Sequence, residues 1–400
     1  GRSKMARGRK RKLNTLGKLV IFVILMIAVG SGGYFGYKYI KDNNSKQKVT
    51  EPSVSNIESN EPEPEELKEP EEKRMSIVMV GDALIHGAVY MDAYKNGKYD
   101  FSKMLTEVAP YLPDYDLRYY NQESILGGGA PQHYPRLNTP DSFGQNMISI
   151  GFNLVSLANN HSFDKGEAGL KHSLAFWKKY SDAGKVHTAG SYSSFAERDA
   201  VPVYDQNGIK YAFLSYTIPT NGLRAPTGKE YYVNVYSKDL VKKNVETAKK
   251  NGAEVIIVAM HWGVEYTHTP NSQQKEVAKY LNSLGVNLVI GAHPHVIQPM
   301  EYVGDTLVIY SLGNFISAQR VFGLEKIIGL CVGTDIVVKD SKVTFEKTKF
   351  ELLYTYYSSA NRNFKVYPFS RLNNNILNNY KATNTKYRKI VDPKGVFNGN

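Results

Sequence analysis

From Met75 onward the chain alternates apolar runs of strand length with segments of helical period. Ser76-Ile-Val-Met-Val80 stops at Gly81-Asp82, Asp116-Leu-Arg-Tyr-Tyr120 at Asn121-Gln-Glu123, and Asn153-Leu-Val-Ser-Leu157 at Ala158-Asn-Asn-His161. Glu254-Val-Ile-Ile-Val-Ala-Met260 and Val286-Asn-Leu-Val-Ile290 follow the same rule, ending at His261-Trp-Gly263 and at Gly291-Ala-His-Pro-His295. Between them, residues 168–183, 238–250 and 272–284 read as helices, the last two closed by Asn251-Gly252 and Gly285, residues that suit a left-handed C-terminal cap. Strands alternating with helices predict a largely parallel, layered α/β sheet. Residues 306–310, 329–338 and 342–353 read as strands without intervening helices, with a hairpin turn at Lys339-Asp-Ser341. They predict a second, antiparallel sheet.

The pattern upstream is different. Residues 1–18 are basic, and residues 19–40 begin with the run Leu19-Val-Ile-Phe-Val-Ile-Leu-Met-Ile-Ala-Val29 and continue through tyrosines to Ile40. A span of about 20 apolar residues suits a bilayer core, and a basic flank stays cytoplasmic. The reading is a single-pass cell-membrane anchor with the C-terminal domain extracellular. A cleaved signal peptide is the competing reading, with Ala28-Val-Gly30 as a weak cleavage site. Residues 41–73, with Glu61-Pro-Glu-Pro-Glu-Glu66 and hardly any aromatics, read as an acidic, extended, disordered tether. The folded domain is then expected over residues 74–355, and residues 356–400 form a basic extension rich in tyrosine and asparagine.

Composition changes this picture little. The 400 residues are 42% hydrophobic, enough for a sizeable core, and the net charge of +12 includes the basic flank offset by the acidic tether. The basic extension could attract a polyanion or simply be a solvated surface. One cysteine, Cys331, excludes an intrachain disulfide and reads as a small buried hydrophobe. No internal repeat and no nucleic-acid motif is present.

Loops at the carboxyl ends of parallel strands carry the chemistry of α/β folds. Here the strand ends carry Asp82, Glu123, Asn160 with His161, His261, and His293 with His295. Carboxylate, amide oxygen and imidazole without thiolate are donors for a divalent metal such as Mn, Zn or Fe, and the inventory suits two ions. Any one of these residues is more simply a turn residue, a cap or a surface histidine; their joint placement argues for a site. His86 follows Asp82 closely enough to join it if the loop turns back.

Six ordered motifs, VGDALIH (80–86), NQES (121–124), SLANNHSFDKG (156–166), HWGVEY (261–266), GAHPHVIQP (291–299) and YSLGNFI (310–316), resemble those of the CapA (PgsA) family of capsule and poly-γ-glutamate synthesis proteins, a branch of the calcineurin-like metallophosphoesterases. The resemblance implies a four-layer α/β sandwich of two mixed sheets with flanking helices and a dinuclear centre. It places Asp82 and His295 on one metal, Asn160, His261 and His293 on the other, and Glu123 at the bridging position. His161 takes the place of the general acid, oriented by Asp164; Glu265, Ser311 and Asn314 stand close by as supporting or substrate-contacting residues. The chain departs from the superfamily in lacking Asp-x-His in the first motif and in having Glu rather than Asp as the bridge.

Three functions follow as expectations. The first is a membrane-tethered protein that helps synthesise, export or process an anionic polymer such as poly-γ-glutamate, in the family's setting of a membrane synthase complex. The second is a general cell-envelope metallophosphatase, and the third a non-catalytic polymer-binding scaffold with a vestigial site.

Overall fold

The computed structural model describes residues 71–397. The basic segment, the apolar run 19–40 and nearly all of the tether lie outside the described residues; among the described residues no helix is long and apolar enough to cross a membrane. The chain opens with β1 (Lys73–Ala83), α1 (Gly87–Ala93), a short hairpin of β2 (Tyr94–Lys95) and β3 (Lys98–Tyr99), β4 (Leu117–Asn121), α2 (Asp141–Ile150), β5 (Leu154–Ser156), α3 (Gly166–Asp182) and β6 (His187–Ala189). It continues with α4 (Phe195–Ala200), β7 (Val203–Gln206), β8 (Ile209–Thr217), α5 (Lys238–Lys250), β9 (Val255–His261), α6 (Ser272–Ser283) and β10 (Leu288–Ala292). It closes with β11 (Met300–Val303), β12 (Thr306–Ile309), β13 (Asn314–Ile316), β14 (Ile328–Lys339), β15 (Lys342–Tyr356), β16 (Lys365–Pro368) and α7 (Tyr380–Val391).

Two mixed sheets result, as the resemblance implied. The first runs β16-β15-β14-β1-β4-β5-β6, with β13 paired to the end of β1; the second runs β11-β12-β10-β9-β8-β7. β1, β4, β5 and β6 are parallel, as are β12, β10, β9 and β8. The alternation of side chains along each strand decides what packs on either face. Tyr211 and Phe213 of β8 share one apolar core with Ile77 and Met79 of β1, and the Phe213 ring meets Tyr119 of β4 edge-on at 6.0 Å. Their neighbours Ala212, Leu214 and Tyr216 turn to Val241 and Val245 of α5 and to Val277 and Leu281 of α6. On the far side of the first sheet, Tyr120 and Phe152 meet at 5.2 Å in the same apolar cluster as Phe143 of α2 and Trp177 of α3.

Some expectations need correction. The late strands do not make a second sheet of their own: β14 pairs antiparallel with β1, from Lys73 against Val338 to Met79 against Val332, and β15 and β16 follow outward. A period of two fixes which face of a strand is buried, but not which edge it pairs with. The hairpin at Asp340 and Ser341 is present, with φ of 51° and 62° at the two turn residues, as a tight turn between twisted strands requires. β8, at the heart of the second sheet, and α2 were not read from the sequence. β8 is buried along both faces, so it lacks the alternation that betrays a half-buried strand. Cys331 on β14 is half-buried rather than in the core. Residues 365–368 add β16 to the first sheet, and Tyr387 and Val391 of α7 join the main core.

Two glycines let the backbone cross where the sheets come together. A Cβ on Gly81 would lie 1.9 Å from the Gly313 carbonyl oxygen, and one on Gly291 would lie 1.9 Å from that of Tyr310. The segment after β12 therefore threads against the exits of both β1 and β10. Gly291→Ala is expected to cost about 3 kcal/mol or more, by forcing backbone apart in a close-packed region; urea unfolding should show a lower midpoint with an unchanged slope.

Candidate metal centre

The strand exits of the two sheets bring most of the expected residues together. Asp82, from the end of β1, is fully buried. Its Oδ1 accepts from Asn121 Nδ2 at 2.8 Å, its Oδ2 accepts from the His293 backbone N–H at 3.1 Å, and His295 Nδ1 lies 3.5 Å from Oδ2. Glu123, two residues beyond β4, is equally buried, and neither carboxylate oxygen has a hydrogen-bond partner among the described residues. Its Oε1 lies 3.6 Å from His261 Nε2 and 3.5 Å from His295 Nε2. His261 Nε2 is also 2.9 Å from Asn160 Oδ1.

These donors fall into overlapping groups. Glu123, His261 and His293 form one, Asp82, Glu123 and His295 another, and Glu265, His293 and His295 a third, with the donor atoms of each group within 4.8 Å of one another. Glu123 is common to the first two, the position of a bridge. His293 and His295 have φ of 96° and 55°, a left-handed backbone that side-chain-bearing residues adopt only when their surroundings hold them there. Pro294 stands between the two histidines. Its carbonyl accepts from the Tyr266 N–H at 2.7 Å, which ties the loop to the exit of β9.

The electrostatics are those of a buried donor set in which His295 alone offsets the carboxylates. Burial raises the Glu123 carboxyl well above its usual range; His295 pulls it back, while Asp82 and Glu265 push it further up. Burial holds His293 down at about 3, and His261 lies well below its ordinary value for the same reason, helped by the neighbouring imidazoles. Burial would lower His295 too, but Glu123 and Asp82 outweigh it and hold the ring at about 10. A buried carboxylate with no hydrogen-bond partner among the described residues, beside a buried imidazole whose Nδ1 also has none, carries a desolvation cost that a bound cation would offset. The residues present therefore fit a pair of divalent ions.

The remaining expected residues divide. His161 Nδ1 donates to Asp164 Oδ2 at 2.6 Å, and the same oxygen accepts from the Leu137 N–H at 2.6 Å. Asn314 Oδ1 sits 3.0 Å from His295 Nδ1, which leaves Nε2 as that ring's donor nitrogen. Ser311 faces away from the donors: its Oγ donates to the Val296 carbonyl and accepts from the Gly313 N–H, bracing the loop. Glu265 is more than a neighbour, since it joins the third donor group from a partly exposed position. His86 joins none of the groups. It lines the adjoining cleft, and its Nδ1 accepts from the Ala318 N–H at 3.2 Å.

Sequence reading missed the amides that hold this set in place. Asn121 links Asp82 to Ser156, whose hydroxyl donates to Asn121 Oδ1 at 2.7 Å, and Asn159 accepts from the His161 N–H while donating to the Gln122 carbonyl. The signal was available, because both asparagines stand at the same strand exits as the donors. The donors open onto a cleft of about 1250 Å³, walled in part by His86, His133, Arg136, Tyr266 and Arg362.

Comparison with known proteins adds the family context. The family model described as bacterial capsule synthesis protein PGA_cap matches residues 76–319. The chain is similar to the capsule biosynthesis protein CapA of Bacillus anthracis, 26% identical over 262 residues, covering 63% of this chain and 62% of the relative. It is also similar to the PGA biosynthesis protein CapA of Bacillus subtilis (strain 168), 31% identical over 183 residues, covering 43% of this chain and 44% of the relative. The match thus spans less than two thirds of either relative. Among solved structures, the calcineurin-like phosphoesterase YfkN from Bacillus subtilis aligns with a TM-score of 0.42 and 13% identity, covering 79% of this chain and 99% of that one.

Elemental analysis of purified protein supplied with Mn or Zn is expected to find about two ions per chain, and a clear fall in the variant carrying His293→Ala and His295→Ala. A second expectation concerns acid. His86, half-buried on the cleft wall, is held down to about 3 by burial first and then by charge on His295 and His161. Below about pH 6.5 the unfolded chain takes up a proton there that the folded chain refuses, so stability falls as pH drops toward 3. Thermal melts of chelator-treated protein across that range should show a shallower decline for His86→Asn than for the wild type.

Proposed function

The chain belongs to the bacterial capsule synthesis protein family, and from that premise we propose that it is a metal-dependent hydrolase acting on an anionic capsule polymer of the poly-γ-glutamate type during its synthesis, export or processing. The observation that carries the hydrolytic part is Glu123: a fully buried carboxylate with no hydrogen bond to either oxygen among the described residues, shared by two donor groups. A residue so costly to bury is poorly explained by a scaffold that never binds a cation. Asp82 and His295 would hold one divalent ion, His261, His293 and Asn160 the other, with Glu123 between them. Such ions supply Lewis acidity toward a substrate oxygen and lower the pKa of a water.

The rest of the chemistry belongs to side chains. His161, with Nδ1 committed to Asp164, presents Nε2 as the nitrogen that can protonate a leaving group. Asp164 stabilises the charged ring and fixes its orientation, and the Leu137 N–H and Asn159 amide keep the pair in register. Asn121 holds Asp82 from the other side. The apolar run 19–40 would tether the domain to the outer face of the cell membrane, where a polymer is exported, and would be the place to meet a membrane synthase complex. Under this reading the protein takes no nucleic acid.

The same donor set would serve a general envelope metallophosphatase, so the substrate decides between the two. The full chain with Mn or Zn, assayed on an aryl phosphate and on poly-γ-glutamate, is expected to shorten the polymer. Asp82→Ala should remove that activity. His161→Ala should lower turnover roughly 100-fold or more, the usual worth of a positioned acid. Phosphate release with no change in polymer length would favour the envelope phosphatase; no turnover of either substrate by a fully metal-loaded protein would end the hydrolase reading.

A further inference from the structure

The cleft does not end at the donor site. A second hollow of about 410 Å³ adjoins it over the β2–β3 hairpin, walled by Tyr90, Tyr94, Tyr99 and Lys95, and it shares two residues with the first, Met91 and Arg362. The two hollows meet at these shared residues, so the walls from His295 and His161 to Lys95 belong to adjoining hollows, here called the groove. Its charge is lopsided. Arg136, Arg362 and Lys95 are exposed, and no ion pair holds any of them among the described residues. The acids along the same walls are engaged: Asp164 with His161, Glu265 beside His295, and Asp92 with the Phe364 N–H at 2.9 Å.

That last contact matters for Arg362. Its loop turns back on itself, the Ser358 N–H donating to the Arg362 carbonyl at 2.8 Å and the Arg362 N–H to Ser358 Oγ at 3.2 Å. Phe364 then stacks on Tyr357 with centroids 4.4 Å apart. Asp92 of α1 pins this loop at the junction of the two hollows, so an exposed arginine is presented from a braced backbone. Apolar and aromatic side chains stand among the cations and a few polar ones: the Tyr94 and Tyr99 ring centroids lie 4.9 Å apart, and Met91 and Tyr134 are among the exposed large hydrophobic side chains.

Resting on the polymer reading given above, we infer that this groove is an extended substrate site, with Arg362 the specificity-determining residue that holds a carboxylate at the junction while Lys95 receives one further along. The occupant is a linear γ-linked polyglutamate. Its carboxylates are separated by methylenes and amides that suit tyrosine and methionine walls, whereas a polyphosphate is anionic and strongly hydrated throughout. A guanidinium binds a carboxylate through a planar fork, which an ammonium cannot reproduce.

The test uses the full metal-loaded protein and measures binding of a short and a long γ-glutamyl chain at physiological salt. The wild type is expected to prefer the long chain. Arg362→Ala should weaken long-chain binding roughly tenfold, as expected for loss of a charged hydrogen bond, with the short chain much less affected. Arg362→Lys should recover part of the loss, and Lys95→Ala should lower the same preference. Unchanged metal content and circular dichroism in each variant would exclude misfolding as the cause. A variant that keeps the wild-type preference for long chains overturns the groove assignment, as does a polyphosphate of matched charge that competes equally well. A wild type that binds no γ-glutamyl chain of any length instead removes the polymer reading itself.

Discussion

The centre depends on one threading event. After β12 the chain passes between the exits of β1 and β10, close enough that only glycine fits at Gly81 and Gly291. The crossing is fastened by backbone hydrogen bonds on both sides: the Asp82 N–H donates to the Gly313 carbonyl at 2.9 Å, and the Leu312 N–H to the Gly291 carbonyl at 3.1 Å. Without it, the spacing of Asp82 and Glu123 on the first sheet from His261, His293 and His295 on the second would rest on contacts to side chains alone, the His293 N–H to Asp82 Oδ2 at 3.1 Å and His261 Nε2 to Asn160 Oδ1 at 2.9 Å. The same segment then delivers Asn314 to His295. The YSLGNFI stretch thus serves as a backbone staple between sheets whose shared apolar core sets only their general alignment.

Around this staple the protein accumulates unfavourable features that make sense together. A carboxylate is buried with no hydrogen-bond partner among the described residues, two imidazoles are kept neutral by burial, and two histidines are held in left-handed conformations. Each opposes stability on its own. Their coincidence within one small volume, above a dense core that includes Tyr119, Phe213 and Trp177, is the arrangement expected where a fold trades stability for a preorganised site.

Much of this was legible in the sequence because the donors and the elements share a grammar. An apolar run that stops on Asp, Glu, Asn or His marks both the strand and its chemically useful end, and five such stops named the site. The helices at 238–250 and 272–284 were equally plain, since each has helical periodicity and a polar or glycine cap. What stayed hidden depends on the third dimension. β14 could have paired with any free edge; β8 shows no alternation because both its faces are buried; His86 sits near Asp82 in sequence, but its ring turns to Ala318. Arg362 lies far from every motif and reaches the cleft only because a loop after β15 folds back over α1.

The division of the donors between two sheets has a thermodynamic consequence. A ligand that touches Asp82 and Glu123 from one sheet and His261 and His293 from the other loses donors when the sheets part, and keeps at most the group of Glu265, His293 and His295 on the second. Its binding therefore adds to the free energy that keeps the sheets together, by at most about 2.7 kcal/mol when the free ion is at a hundred times its dissociation constant. Partial opening, in which one sheet frays while the other survives, is suppressed along with global unfolding. Occupancy would then act as a mechanical latch, so that resistance to proteases and readiness for chemistry rise and fall with the local supply of the same ion.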